Sequence, residues 1–328
     1  MRKSTRTLLI STGILSIGAS VLTLASYILT KKLVKVAIDR EMPKASAKSR
    51  YRISGVTPSD PNGKKIALAG QQLKNSNYET VEITGCDKAK LVGHIKRCEN
   101  AKRIIIAVHG WRSSWNNDFG MIADFWHNND CHVLYIEQRG HNESGGKYLG
   151  FGMIERYDCL DWAYWATENI DSSLPIYLAG ISMGASTVLM TSSLNLPQNV
   201  CGIIADSGFT SAHDIWKHVT ENNLHLSYKM VGFLADNMCK KKINMSTKDY
   251  STKDALKETN VPILLIHGSH DKFVPVSMTY ENYLATRSKK ELLIVPGAGH
   301  GRSYLVDKDK YEKTVLDFWK CCERKSSL

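Results

Sequence analysis

The sequence predicts an α/β fold with a mostly parallel central sheet flanked by helices. Short, nearly continuous apolar runs recur along the chain, and segments with helical spacing separate them. Strands buried on both faces of a parallel sheet have this composition, and their alternation with helices is typical of the class. The chain has 328 residues, of which 43% are hydrophobic and 23% charged. This composition excludes a disordered chain and is compatible with one large domain.

The predicted sheet begins with an antiparallel hairpin. Residues 78–83 and 91–96 alternate apolar and polar side chains around Gly85-Cys86-Asp87, which is the pattern of two strands joined by a turn. Buried strands are predicted after it at residues 103–108, 132–136, 176–179, 200–205, 263–266 and 292–295. Helices are predicted between and after them at residues 154–168, 185–194, 276–286 and 311–322.

The interval over about residues 209–260 is too long for a simple crossover between two strands. Its apolar residues and the sequence Ser211-Ala212-His213-Asp214, which can form a capping box, predict helices there. Two interpretations remain open. The interval is either an ordinary helical insertion that packs on the sheet or, as we prefer, a helical cap that covers a substrate pocket.

Residues 1–30 predict an N-terminal transmembrane helix. No charged residue lies between Arg6 and Lys31, so residues 7–30 form an uncharged run. As a helix this run would span roughly 36 Å, which is enough to cross a hydrocarbon core of about 30 Å. We therefore expect a retained single-pass anchor that contacts membrane lipid, with a cleaved signal peptide or a buried helix as alternatives.

The net charge of +11 is concentrated beside this segment. Residues 1–50 contain ten Lys or Arg and two Asp or Glu, so +8 lies there and +3 in the rest. Basic residues beside an anchor attract anionic lipid headgroups, whereas a nucleic-acid-binding protein carries its positive charge on the folded domain. We expect a cell-membrane protein with a basic juxtamembrane stalk and an entry segment, either a helix or a loop, over residues 31–75, and no nucleic-acid partner. The charges leave the membrane face of the domain open.

The cysteine and histidine spacing argues against a metal centre. The eight cysteines are scattered without a C-x-x-C pair, so free thiols are expected. The sequence contains no H-E-x-x-H, and His267 and His270 are too few ligands to form a site by themselves. We expect no metal and no cofactor.

The sequence Gly180-Ile181-Ser182-Met183-Gly184 predicts a nucleophilic serine. It directly follows a predicted strand and opens the next helix. Small residues two positions either side of the serine let the strand and the helix approach closely, and the sharp turn lifts the hydroxyl out of the sheet. Ser182 is the predicted nucleophile, and the Met183 N–H at the start of the helix is a predicted oxyanion donor.

A second oxyanion donor is predicted in His109-Gly110-Trp111, directly after the strand at residues 103–108. Gly110 lets the backbone approach a substrate carbonyl, so that the Trp111 N–H can point at the oxyanion. The alternative is a glycine turn that serves only geometry. His109 is expected to brace this loop rather than to transfer protons.

Two further strand ends supply candidate partners for the serine. Asp271 follows the strand at residues 263–266 and can hold the tautomer of a catalytic imidazole. His300 follows the last strand with a glycine on each side, which frees its imidazole to act as general base and then acid. The resulting order of Ser182, Asp271 and His300 is the one expected of this kind of fold. Asp206 is the alternative carboxylate.

From about residue 64 onward the chain resembles the α/β-hydrolase superfamily. It is most similar to membrane-anchored or exported bacterial serine hydrolases of the prolyl-oligopeptidase and serine-aminopeptidase branch. Besides the elbow, this similarity is carried by EQRGHNES at residues 137–144, ERYD at residues 155–158 and DSGFTS at residues 206–211. The resemblance implies an α/β-hydrolase domain over residues 76–328 that needs no cofactor and uses Ser182, Asp271 and His300.

The chain departs from that branch at two positions of one turn. Glu137 stands where the family usually has Asp, and Asn142 replaces a Gly. Both departures affect a turn near the pocket and leave the predicted triad unchanged. Arg139 and Glu155 could bind a charged substrate, but a structural ion pair or backbone contacts are the preferred interpretation.

These features predict a membrane-tethered serine hydrolase that cleaves a small-molecule carboxylic ester through an acyl-enzyme. Within enzymes, the alternatives are a peptidase or aminopeptidase and an acyltransferase that uses the same triad. A catalytically inactive, membrane-attached scaffold is the alternative from another class. A dehalogenase or epoxide hydrolase is excluded because Ser182 stands where those enzymes need a carboxylate. The oligomeric state is not readable from the sequence.

Overall fold

The computed structural model describes residues 23–41 and 61–323. Its strands are β1 (Glu79–Thr84), β2 (Lys90–Lys96), β3 (Arg103–Val108), β4 (Cys131–Glu137), β5 (Ile176–Ile181), β6 (Val200–Asp206), β7 (Ile263–Gly268) and β8 (Lys290–Val295). Its helices are α1 (residues 23–38), α2 (Pro61–Lys74), α3 (Trp115–Phe119), α4 (Ala123–Asn128), α5 (Glu155–Asn169), α6 (Met183–Thr191), α7 (Ala212–His218), α8 (Tyr228–Ile243), α9 (Thr252–Glu258), α10 (Val276–Ala285), α11 (Ser303–Val306) and α12 (Lys308–Glu323).

The strands form one eight-stranded sheet in the order β1-β2-β4-β3-β5-β6-β7-β8. The β1–β2 and β2–β4 pairs are antiparallel, and all other neighbours are parallel. The predicted α/β class with a mostly parallel sheet is confirmed. The strand order reverses where β3 lies between β4 and β5, and open α/β sheets bind ligands beyond the carboxyl ends of the strands at such a point.

Both faces of the sheet are covered, which explains the continuous apolar runs. Successive side chains of a strand point to opposite faces. On β3, Ile104 and Ile106 pack in one core with Trp162 of α5, whereas Ile105 packs in the other core with Phe119 of α3. All three isoleucines are fully buried. Because neither face of β3 meets water, an alternating pattern is absent there.

The connection from β3 to β4 contains the short helices α3 and α4, which the sequence analysis did not predict. They have five and six residues, too few for a helical repeat to stand out. Trp115 and Phe119 of α3, with Phe125 and Trp126 of α4, are buried against the sheet. This connection therefore supplies much of the aromatic core on one face.

The interval predicted as a cap contains α7, a π-helical turn (Val219–Asn223), α8 and α9. Helix α9 contacts α6 and α10, the helices that flank the sheet, so only α7, the turn and α8 stand apart from the sheet. At Ser211 the side chain accepts a hydrogen bond from the Asp214 N–H at 3.0 Å, which is one half of the predicted capping box. A complete capping box forms instead at Ser251 and Asp254, where α9 begins.

The N-terminal segment packs on the domain in a way that the stalk prediction did not include. Val34 and Ile38 of α1 are buried in a cluster with residues of the cap, and Arg40 donates to the carbonyl oxygens of Asn142 and Ser144 at 2.6 and 2.5 Å. These apolar residues are interspersed with lysines, so the segment reads as polar and basic in sequence. In space it forms part of the folded domain.

Most of the predicted anchor, residues 7–22, lies outside the described residues, and residues 23–30 open α1. Within residues 23–41 and 61–323, none of the helices has both the length and the apolar character needed to cross a membrane.

Candidate active site

Ser182 lies on the sharp turn between β5 and α6. Its backbone has φ 56° and ψ −118°, a conformation that costs a non-glycine residue free energy and that clusters at active sites. A Cβ on Gly184 would lie 1.8 Å from the Val108 carbonyl oxygen, and one on Gly180 would lie 2.3 Å from the Gly184 carbonyl oxygen. Both glycines are thus required by the close approach of strand and helix, as the motif predicts.

The structure brings the three predicted triad residues together. His300 Nε2 lies 2.9 Å from Ser182 Oγ, and His300 Nδ1 lies 2.6 Å from Asp271 Oδ2. Residues 118 and 29 positions apart in sequence thereby form one continuous hydrogen-bonded chain. With Nδ1 protonated towards Asp271, the unprotonated Nε2 faces the serine hydroxyl and can accept its proton.

The carboxylate of Asp271 is buried but well supplied with donors. Its Oδ1 accepts the backbone N–H groups of Phe273 and Val274, both at 2.9 Å, and its Oδ2 also lies 3.1 Å from His267 Nε2. Burial opposes ionisation of this carboxyl, yet the facing imidazoles of His300 and His267 hold its pKa well below the usual value. Asp271 is therefore ionised and rigidly oriented.

The pKa of His300 is raised above its ordinary value of 6.5. Burial alone would lower the pKa of this imidazole, but the negative charge of Asp271 and the hydrogen bond between Asp271 and His300 outweigh the effect of burial. The edge of the Phe273 ring approaches the imidazole with centroids 4.9 Å apart. An imidazolium formed at this position is stabilised by the carboxylate behind it.

The predicted oxyanion donors flank Ser182. A Cβ on Gly110 would lie only 3.2 Å from Ser182 Cβ, so the loop that carries Trp111 runs directly beside the serine. Asp118 holds this loop by accepting the Gly110 N–H at 2.7 Å. Asp118 was missed by the sequence analysis because it lies in the unpredicted helix α3. Within residues 23–41 and 61–323, no hydrogen bond is formed by the backbone N–H of Met183 or Trp111, which is compatible with the predicted role of both groups.

His109 braces the loop, as expected. Its Nδ1 donates to the Gly110 carbonyl oxygen at 2.8 Å, and its Nε2 accepts the Gln138 N–H at 3.1 Å. Burial lowers the pKa of this imidazole, which keeps it neutral and suits the role of one donor and one acceptor. It makes no contact with Ser182.

The alternative carboxylate, Asp206, is placed beside the triad but outside it. Its Oδ1 accepts the hydroxyls of Ser207 at 2.9 Å and Ser303 at 3.3 Å, and burial raises its pKa to about 6. His300 hydrogen bonds to Asp271 instead. The structure therefore favours Asp271 over Asp206 as the partner of the imidazole.

Arg139 of the EQRGHNES turn and Glu155 of the ERYD segment make structural contacts, in agreement with the preferred interpretation of both side chains. Arg139 forms two hydrogen bonds with Asp158 and pairs with Asp87 on its other side. Glu155 accepts the backbone N–H groups of Gly150 and Gly152 at 2.6 and 2.8 Å. These side chains are occupied in holding loops and do not face Ser182.

Glu137, the residue that replaces the usual Asp, has a comparable structural role. One carboxylate oxygen accepts the N–H groups of Glu143 and Ser144, and the other lies 3.0 Å from His94 Nε2. The longer side chain thus still closes the turn. Asn142 adopts a positive φ of 43°, which asparagine tolerates better than most residues, so the missing glycine is accommodated.

An apolar cavity of about 660 Å³, its open mouth included, lies next to the triad. Its lining includes Phe273, whose ring contacts His300, and Trp111, which follows Gly110 in the loop beside Ser182. Phe151 and residues of α1, α7, the π-helical turn and α8 also line it. The sequence predicts helices over about residues 209–260, which contribute to this lining, but it does not predict the contribution of α1. The described lining includes no charged side chain.

A search of protein-family models finds the prolyl oligopeptidase family over residues 117–325, which includes all three triad residues. The chain belongs to the prolyl oligopeptidase family. This confirms the part of the resemblance that concerns the prolyl-oligopeptidase branch of the α/β-hydrolases. Among curated proteins, the chain is 27% identical over 265 residues to the protein YqkD of Bacillus subtilis, with 78% of this chain and 83% of YqkD covered.

Solved structures share the fold of this family member. An esterase of Pyrococcus furiosus, Pf2001, matches with a TM-score of 0.63 and 23% identity, over 81% of this chain and 96% of the esterase. A bacterial membrane phospholipase A matches with a TM-score of 0.55 and 14% identity, over 97% and 99% of the two chains. Family and fold together make this protein a serine hydrolase of the α/β-hydrolase class.

Proposed function

We propose that this protein is a membrane-tethered serine hydrolase that cleaves carboxylic esters through an acyl-enzyme. The observation that carries the proposal is the apolar cavity that adjoins a hydrogen-bonded Ser182–His300–Asp271 chain. The triad provides an activated nucleophile, and the cavity provides a place for an uncharged acyl group.

Ser182 Oγ attacks the acyl carbon while His300 Nε2 takes its proton. The bond from the acyl carbon to the alkoxy oxygen then breaks, and His300 returns the proton to the leaving alcohol. Water, deprotonated by the same imidazole, adds to the acyl carbon and releases the carboxylic acid with a free Ser182. Asp271 stays ionised throughout and stabilises the imidazolium in both steps.

The oxyanion that forms in each step is held by the N–H groups of Met183 and Trp111. The first lies at the start of α6, where the helix dipole also favours negative charge. In comparable sites, removing one such donor costs about 3–4 kcal/mol of transition-state stabilisation. The hydrogen bond from the Gly110 N–H to Asp118 keeps the loop that carries Trp111 in place before substrate binds.

The cavity favours an ester with an apolar acyl group over a peptide. A peptidase needs polar groups to pair the amide groups that flank the bond to be cleaved, since leaving them unpaired in an apolar site is costly. The described lining is predominantly aliphatic and aromatic, with Thr30, Thr220 and Tyr228 as its only hydroxyl groups. Cap helices α7 and α8 shape this cavity, in keeping with the role of a substrate cap.

Two features of the sequence around α1 support the membrane tether. The uncharged run at residues 7–30 continues without a break in sequence into α1, and exposed Lys31, Lys32 and Lys35 follow it. Such lysines suit contact with anionic lipid headgroups. The tether would hold the domain at the surface of a membrane.

Fluorophosphonate labelling of the full chain in detergent tests the chemistry. Native protein should be labelled, Ser182→Ala should not, and Ser172→Ala, at an exposed serine, should be labelled like the native protein. A matched pair of p-nitrophenyl ester and p-nitroanilide with the same acyl group then separates ester from amide cleavage. Lack of labelling of folded native protein would refute the mechanism, and faster anilide cleavage would refute the ester assignment.

A further inference from the structure

Two of the helices that line the apolar cavity, α1 and α8, run side by side. Near one end Ser26 Oγ of α1 donates to the Met230 carbonyl oxygen of α8 at 3.2 Å, and near the other Lys242 Nζ pairs with Asp39 Oδ1 at 2.6 Å. The first part of α1 thus contacts the first part of α8, and the residue that follows α1 contacts the last turn of α8, so the two helices are parallel. Residues of both helices line the cavity between them.

Helix α1 has a second face, which points away from the cavity. Leu24 and Ile28 on this face are 61% and 57% exposed, and the exposed lysines Lys31, Lys32 and Lys35 follow within two turns. An apolar patch followed by a cluster of lysines matches the boundary between hydrocarbon and lipid headgroups, where lysine stems extend along apolar surface and their amines reach the headgroups.

Helix α8 extends the apolar patch beyond α1. Met230 and Phe233 are 60% and 77% exposed, and they lie opposite the residues of α8 that line the cavity. The hydrogen bond from Ser26 to Met230 places them beside the apolar end of α1. Large apolar side chains grouped on a surface mark an interaction site, and here the uncharged run that precedes them indicates a lipid layer.

On α1, the lining of the cavity begins near this boundary. Thr30, the first residue of α1 that lines the cavity, lies between the exposed Ile28 and Lys31. From there the lining continues to Ala37, which is about 10 Å further along the helix. The Ala37 carbonyl oxygen accepts Trp111 Nε1 at 2.9 Å, so the inner end of this wall contacts the loop beside Ser182.

We propose that the substrate is an acyl ester of a membrane lipid, whose acyl chain passes from the lipid layer between α1 and α8 into the cavity. The surface formed by Leu24, Ile28, Met230 and Phe233, called here the lipid-facing patch, rests on the hydrocarbon. This inference rests on the proposed function and adds the class of substrate and its route. Ser182 takes up the acyl group, His300 protonates the released lipid alcohol, and water then frees the fatty acid.

The test compares two substrates for the full chain reconstituted in vesicles of phosphatidylcholine and phosphatidylglycerol. One is a fluorogenic diacyl glycerophospholipid in the vesicle, and the other is dissolved p-nitrophenyl acetate. Ile28→Glu and Phe233→Glu place a charge on the lipid-facing patch, and each should lower the ratio of lipid hydrolysis to acetate hydrolysis by about tenfold. Leu284→Glu, at a side chain of α10 that is 78% exposed, is the matched control and should not change the ratio.

The outcomes separate this inference from the proposed function. If acetate hydrolysis requires Ser182 but native protein leaves the vesicle lipid intact, the lipid substrate is refuted and the hydrolase stands. If Ile28→Glu and Phe233→Glu both give the native ratio, as the control Leu284→Glu is expected to do, the route between α1 and α8 is refuted. If acetate hydrolysis persists in Ser182→Ala, the proposed function fails and this inference fails with it. The substituted side chains are exposed, so the variants are expected to fold.

Discussion

Arg112 joins the N-terminal helix α1 to the loop beside Ser182, and removing its side chain is the most informative single change. Its guanidinium donates to the Val36 carbonyl oxygen at 2.6 and 2.9 Å, to that of Asp39 at 2.6 Å and to that of Arg40 at 3.3 Å. These acceptors lie at the carboxyl end of α1, where a helix has unpaired carbonyl groups and favours a cation.

The expected magnitude follows from these contacts. A hydrogen bond to a charged group contributes about 1.5–3 kcal/mol when it is protected. Because the guanidinium is only half-buried and the freed carbonyl groups regain water, we expect Arg112→Ala to weaken the docking of α1 by about 2–4 kcal/mol in total. The opening of α1 should then become about 30- to 700-fold more frequent.

Amide hydrogen exchange of the full chain in detergent measures this opening directly. Protection of residues 30–38 should fall in Arg112→Ala while that of β3 and β5 is retained. Arg112→Lys keeps the charge but loses the planar fork, so its exchange should be intermediate. Arg287→Ala, at an exposed arginine of the α10–β8 loop, should match native protein. If residues 30–38 of Arg112→Ala exchange their amide hydrogens at the same rate as in the native protein, the view that the Arg112 side chain holds α1 on the domain is refuted.

Two further predictions concern the triad and the elbow. Asp271→Asn should lower kcat by about 10³–10⁴-fold. It should also move the acid limb of the kcat/KM profile to lower pH, because Asp271 raises the pKa of His300, which that limb follows in the native protein. An acid limb at the native pH would contradict this cause. Gly184→Ala should destabilise the fold by about 1–3 kcal/mol or more, since its Cβ would lie 1.8 Å from the Val108 carbonyl oxygen. Thermal unfolding checks the second prediction against Gly299→Ala, whose Cβ would have no atom within 4 Å, and equal unfolding temperatures would contradict it.

Long buried strands are predictable from this sequence, whereas its shortest helices are not. The buried strands were predicted well because a strand covered on both faces needs an unbroken apolar run, and β3 was predicted with its observed bounds. The short helices α3 and α4 escaped because five or six residues complete fewer than two helical turns. With α3, the loop support from Asp118 was also missed.

The N-terminal segment over residues 31–41 shows most clearly what local sequence does not predict. Residues 31–41 contain lysines at short intervals, so local composition indicated an exposed stalk. Their apolar side chains instead belong to a buried cluster with residues of α7 and α8, about two hundred positions later; Val34 and Val231 are both members of it. Local periodicity reports which face of an element is apolar and does not report which distant element covers it.

The sequence by itself predicted the fold class and pointed to Ser182, Asp271 and His300, since glycine-flanked turns at strand ends have local requirements that few residues satisfy. The tertiary structure alone decided that Asp271 rather than Asp206 faces His300, that Asp118 supports the loop that carries Trp111, and that α1 contributes to the wall of the cavity. Each of these depends on distances between residues far apart in the chain. Such distances arise only when the sheet order and the helix packing are complete, because hydrogen bonds and apolar contacts act over a few ångströms.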